Sequence, residues 1–151
     1  MADMGVNELR VLGESGDLRR FEQQADERHL PVSDRDPYNG EFSPSVLSFH
    51  RLVPIPSDVS SRGYDSPGGG CEWQKTNWGV KWGAARTDRT EETDGLCYDF
   101  ETAWYPPVPF LQTVSADHPS LTFLLNFTVP SGNWCEHYEF RGGNRVDENY
   151  L

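Results

Sequence analysis

A chain of 151 residues can enclose one sizeable core, while two would leave each half marginal, so one domain over residues 1–143 with a polar tail at 144–151 is expected. Hydrophobic residues make up 36% and aromatics 13%, and the area each buried ring removes from water favours a folded chain over a disordered one. The 24 acidic against 13 basic residues give a net charge of -11, which works against direct nucleic-acid binding; no signal-like segment or long apolar run indicates export or a membrane span.

In chain order, residues 7–12 set Leu9 and Val11 against Glu8, Arg10 and Leu12, a short strand closed by Gly13. Ser15 or Asp17 can then cap a helix over 17–28 in which Leu18, Phe21 and Ala25 recur at helical spacing. Residues 29–45 carry Pro31, Pro37, Asn39, Gly40 and Pro44 and read as an irregular connection. The alternation over 46–53 predicts a second strand, ended by Pro54 and Pro56. Residues 57–70, rich in Ser, Pro and Gly, read as a flexible loop.

Residues 71–85 hold Trp73, Trp78 and Trp82, with Gly79 and Gly83 interrupting any long helix, so a short irregular helix or turn is expected there. Residues 98–105 predict a strand with Tyr98, Phe100, Thr102 and Trp104 on one face, stopped by Pro106, Pro107 and Pro109. A helix over 110–116 buries Phe110, Leu111 and Val114, and His118-Pro119 closes it. Apolar strand 121–129, a turn at 130–133 and strand 134–140 form a hairpin.

The order strand-helix-strand, insertion, strand-helix-strand-strand is the split βαβ plan. It predicts an α+β, ferredoxin-like two-layer sandwich, with a mainly antiparallel sheet, two helices on one face and a Trp-rich insertion. An uncovered sheet face would favour a homodimer if it were apolar.

Charge is concentrated at residues 88–101, where Asp88, Glu91, Glu92, Asp94, Asp99 and Glu101 are opposed only by Arg89. Either this is a solvated loop and strand edge, or it is an acidic docking face. The three cysteines, Cys71, Cys97 and Cys135, are widely spaced and odd in number, the pattern of a reduced, cytoplasmic protein. Cys135 and His137 share a strand face but lack the further ligands of a metal site, and no clustered cysteines support an iron-sulfur centre, so no metal or cofactor is expected.

Nucleophile-base pairs are loose: Ser48 with His50, and Cys135 with His137 and Glu139, lie outside any nucleophile elbow or cysteine-protease signature. Gly68-Gly69-Gly70 lacks the Lys-Ser/Thr of a phosphate loop, and Glu91 and Glu92 stand where solvent would keep both ionised. No catalytic residue is expected.

Two motifs carry a family resemblance. Asn77-Trp78-Gly79-Val80-Lys81-Trp82 and Phe100-Glu101-Thr102-Ala103-Trp104-Tyr105-Pro106-Pro107, followed by His118-Pro119-Ser120-Leu121-Thr122-Phe123, resemble the signature segments of YubB-like proteins of plasmids and phages. That resemblance implies a ferredoxin-like domain in a mobile-element setting, with no reaction attached. Asn77, Trp78, Lys81, Trp82, Thr102 and Trp104 are expected to be structural, with Lys81 laying its stem on an indole and its head against a carboxylate.

The functional expectation is a non-enzymatic accessory protein acting in a bacterial host cell. It would inhibit host defence, in the manner of an anti-CRISPR, by presenting its acidic surface to a basic nucleic-acid-binding protein. The alternative is a single-stranded nucleic-acid-binding module using sheet aromatics.

Overall fold

The computed structural model describes residues 3–132 and 134–146. The N-terminal alternation runs further than its apolar residues alone indicate: β1 (Met4–Leu12) buries Gly5, Asn7, Leu9 and Val11 and exposes Val6, Glu8 and Arg10. Helix α1 (Ser15–Ala25) follows, with Phe21 and Ala25 buried. Glu14 holds its N-cap position without a side-chain hydrogen bond, so neither Ser15 nor Asp17 is the cap; Asp17 instead pairs with Arg20 one turn on.

The strand expected over 46–53 does not form. Ser48 caps a one-turn helix, α2 (Phe49–Leu52), its hydroxyl accepting the Arg51 backbone N–H at 3.2 Å, and Phe49 and Leu52 face the core three residues apart. A Ser followed by apolar residues three apart is a helix start as much as a strand, and tertiary packing decides between them. Within residues 57–70, α3 (Ser57–Ser60) buries Val59, and the turns and bends that follow fold the chain back through Gly70 N–H to Gly63 O at 3.0 Å and Cys71 N–H to Tyr64 O at 2.9 Å. Helix α4 (Gly70–Asn77) is the ordered form of the Trp-rich segment.

The missing strand is β2 (Ala85–Glu92), within the acidic stretch. It forms a hairpin with β3 (Gly95–Ala103) through a two-residue turn at Thr93-Asp94. Then come α5 (Val108–Asp117), β4 (Thr122–Val129) and β5 (Trp134–Arg141), as the pattern predicted, and β6 (Asn144–Arg145), two residues of the expected tail that pair with β5. The rest of that tail, 147–151, lies outside the described residues.

The six strands form one antiparallel sheet in the order β2-β3-β1-β4-β5-β6. Its first four members are in ferredoxin-like order, and β5 and β6 widen it. One face is covered: Phe21 of α1 meets Tyr98 and Phe123 edge-on, with centroids 6.0 and 5.5 Å apart, and Phe110 of α5 stacks on Phe49 at 3.7 Å. Each such pair adds about 0.5–1.5 kcal/mol beyond the area it buries. The other face, bearing Glu8, Arg10, Asp99, Asn126 and His137, lies open to solvent.

Candidate functional site

Directly paired residues of an antiparallel sheet share a face, with Cβ atoms about 5 Å apart. On the open face this rule builds a row across five strands: Asp88 opposite Asp99, Asp99 opposite Glu8, Glu8 opposite Asn126, and Asn126 opposite His137. Three carboxylates thus stand side by side. Only Glu8 gains a polar partner, accepting from Asn126 Nδ2 at 3.1 Å, while Asn126 Oδ1 meets His137 Nδ1.

The field of this row appears in its members. Asp99 has its pKa raised by partial burial and by the charges of Glu8, Asp88 and Glu92. Beside it on the same face, opposite Arg10, the Cys97 thiol is pushed up to about 11 by burial and by Asp99, Glu8 and Glu92, against a smaller opposing effect from Arg10. That thiol is held protonated at neutral pH and is no nucleophile. The Glu8 and Asp99 carboxylates and the Cys97 sulfur lie within 4.8 Å of one another, so these are the residues that could contact a cation. A thiol so hard to ionise fits poorly as a metal ligand, leaving two carboxylates as the useful donors.

The predicted acidic residues do not act as one set. Asp88 and Asp99 belong to the row. Glu92 and Glu101 flank it but are ion-paired, with Arg10 at 3.0 Å and Arg86 at 2.9 Å. Glu91 lies opposite Leu96, on the helix-bearing side, and Asp94 is in the turn; both line a notch with Ser15, Leu18 and Arg19. Glu8 was missed, because its place in the row depends on β1 lying beside β3, a pairing that no local pattern reveals.

The other candidates are dispersed. Cys135 and His137 are exposed on the open face of β5, where His137 lines a shallow notch with Glu8, Arg10 and Asn126. Ser48 and His50 share no strand: Ser48 is a helix cap, and His50 Nδ1 accepts the Ile55 N–H at 3.0 Å, its pKa lowered by burial.

The motif residues divide in two. Trp78 is fully buried and donates from Nε1 to Val53 O at 3.0 Å; Asn77 donates to Trp73 O at 2.9 Å, tying off α4. Thr102 is buried, accepts from Asn7 Nδ2 at 3.0 Å and donates to Tyr105 O at 2.7 Å. These three side chains are engaged in contacts that hold the fold together. Trp104 is not on the Tyr98-Phe100-Thr102 face: it follows the end of β3 in the left-handed region (φ 68°) and is 44% exposed. Trp82 is also left-handed (φ 76°), and the Lys81 ammonium lies over its ring, 4.3 Å from the centroid, instead of against a carboxylate.

Residues 77–150, beginning at the first motif and containing both, match the family model described as "Ferredoxin-like domain in Api92-like protein". No curated protein matches the sequence. Among solved structures, the crystal structure of protein Api92 from Yersinia pseudotuberculosis superposes with a TM-score of 0.64 over 97% of each chain at 10% identity, a likeness of fold alone. From residue 77 onward the chain is therefore similar in sequence to the ferredoxin-like domain of Api92-like proteins, and over nearly its whole length it has the fold of Api92.

Proposed function

We propose that the protein is a non-enzymatic binding protein whose open sheet face docks on the basic surface of a nucleic-acid-binding protein, and that its role is inhibition of a host defence complex. The observation that carries this reading is the row of Asp88, Asp99 and Glu8, three adjacent carboxylates without a cation between them. Like charges directly opposite destabilise a sheet, so the row is a cost that a basic partner would offset. Resemblance of the two motifs to YubB-like proteins supports a mobile-element setting, and a bacterial host cell is the compartment proposed with it.

The alternative, single-stranded nucleic-acid binding by sheet aromatics, loses its platform. Tyr98, Phe100, Phe123, Phe127, Tyr138 and Phe140 all point to the covered face and are buried, and the open face offers a row of carboxylates where a stacking surface would need rings. Self-association through the same face would set carboxylate against carboxylate.

The test compares two double charge reversals of equal charge change, Glu8→Lys/Asp99→Lys in the row and Glu91→Lys/Asp94→Lys outside it, by affinity capture from a bacterial lysate. The row variant should lose a specific basic protein that the other variant retains, with wild-type binding falling steeply between about 50 and 300 mM salt. Equal loss from both variants would reduce the effect to net charge and remove the case for the face.

A further inference from the structure

The chain contains only two lysines, Lys75 and Lys81, and both line one notch, of about 420 Å³, with Gly79, Val80, Ala103, Trp104 and Tyr105. We infer that this notch is a binding site for a mononucleotide, with the phosphate held by the two lysines and the base laid on the ring of Trp104 or Tyr105. It is distinct from the acidic face and goes beyond the role proposed for that face.

The cations are available. Arg10, Arg20, Arg28, Arg62, Arg86, Arg89 and Arg141 are ion-paired, while among the described residues neither lysine has a carboxylate partner; Arg19, Arg35 and Arg51 have none either, but they do not line this notch. Lys81 rests over Trp82, a position from which an ammonium can turn to an incoming anion without first breaking a salt bridge.

The rings are available as well. Trp104 and Tyr105 are two of the four exposed large hydrophobic side chains among the described residues, at 44% and 57% exposure. Trp104 is held in the left-handed region, where a bulky side chain is strained, by its N–H to Asp3 O at 2.9 Å, and the next residue by Thr102 Oγ1 to Tyr105 O at 2.7 Å. This strained conformation leaves the Trp104 indole nearly half exposed on the notch, where its ring can meet a ligand, and strain of this kind clusters at ligand sites. Gly79 completes the wall at φ 83°, where an added Cβ would fall 2.5 Å from Pro109 Cδ.

The ligand class follows from charge and shape together. Flat rings beside two lysines suit a planar base bearing a phosphate, since stacking is tolerant of base identity and the phosphate supplies the anion. A net charge of -11 repels a long phosphate backbone, while one phosphate meets only the local cations, so a free mononucleotide is favoured over a strand.

The experiment is calorimetric titration of the full chain with AMP at low salt, beside adenosine, inorganic phosphate and an oligonucleotide of about ten residues. AMP should bind more tightly than any of the three and shift an indole N–H resonance that is absent in Trp104→Phe. Lys81→Gln and Trp104→Ala should each weaken it by roughly tenfold or more, while both variants keep the wild-type melting temperature within a few degrees. Failure of AMP to bind at millimolar concentration, tighter binding of the oligonucleotide, or AMP affinity unchanged in both variants would overturn the assignment.

Discussion

Asp36 illustrates how a single buried group sets the chain's response to pH. Its carboxylate accepts the Tyr38 N–H at 2.8 Å in a loop that Glu27, fully buried, pins by accepting the Ser45 N–H at 3.0 Å. Burial, with the Glu27 charge added, raises the Asp36 pKa from 3.8 to about 6 against the opposing backbone hydrogen bonds. A raised carboxylate pKa means that the folded chain keeps a proton the unfolded chain has lost. The contribution is therefore complete below 3.8 and lost as pH rises through about 6, a difference of roughly 3 kcal/mol. Asp36→Asn, which keeps the acceptor and removes the charge, should be the more stable form at about pH 7.5, with much of that advantage gone by about pH 4.5, read from urea midpoints. An advantage independent of pH would assign the effect to packing. Asp26 behaves in the opposite sense: burial works against its charge, but the Arg28 hydrogen bonds and the Arg28 and Arg89 charges outweigh it and lower its pKa. Comparing Asp36→Asn with wild type at each pH cancels that contribution.

Among the elements, the ones legible in the sequence are those with an apolar period of their own. Leu9 and Val11 announce β1, Phe21 and Ala25 α1, Phe110, Leu111 and Val114 α5, and Phe123, Leu125 and Phe127 β4. Edge strand β2 carries Thr87, Arg89 and Glu91 on its inner side and has no apolar stripe, so it looked like a charged loop; its Asp94-Gly95 step, a common hairpin signal, was the available clue. Pairing then turns separated acids into a row. Asp99→Asn removes the central charge while keeping the shape, and should stabilise the protein by about 0.2–1 kcal/mol at low salt, with the gain shrinking at high salt. A loss of stability would show that Asp99 has a compensating partner on this face.

At the scale of the whole molecule, the net charge of -11 dominates behaviour in solution. The ion pairs Arg10 to Glu92, Arg86 to Glu101 and Arg89 to Glu22 neutralise neighbouring acids, but among the described residues Glu8, Asp88 and Asp99, running from edge strand β2 inward, have no ion-pair partner. Raising sodium chloride from about 20 to 200 mM should therefore raise the melting temperature, because the screening length falls from about 20 to 7 Å, below the span of the repulsion. A melting temperature that falls with salt would mean that the ion pairs outweigh the repulsion. No helix among the described residues is long and apolar enough to cross a membrane.

The sequence by itself determined the α+β class, the ferredoxin-like plan and most of the core, since hydrophobic period and chain breakers are local properties. Tertiary structure alone decided that Phe49–Leu52 turns into helix, that the acidic stretch splits between edge strand β2 and interior strand β3, that Glu8 joins Asp88 and Asp99, and that Lys75 and Lys81 meet Trp104 in one notch. Each of these depends on contacts between segments far apart in the chain, and a neighbour across a sheet leaves no mark on the residues beside it in sequence.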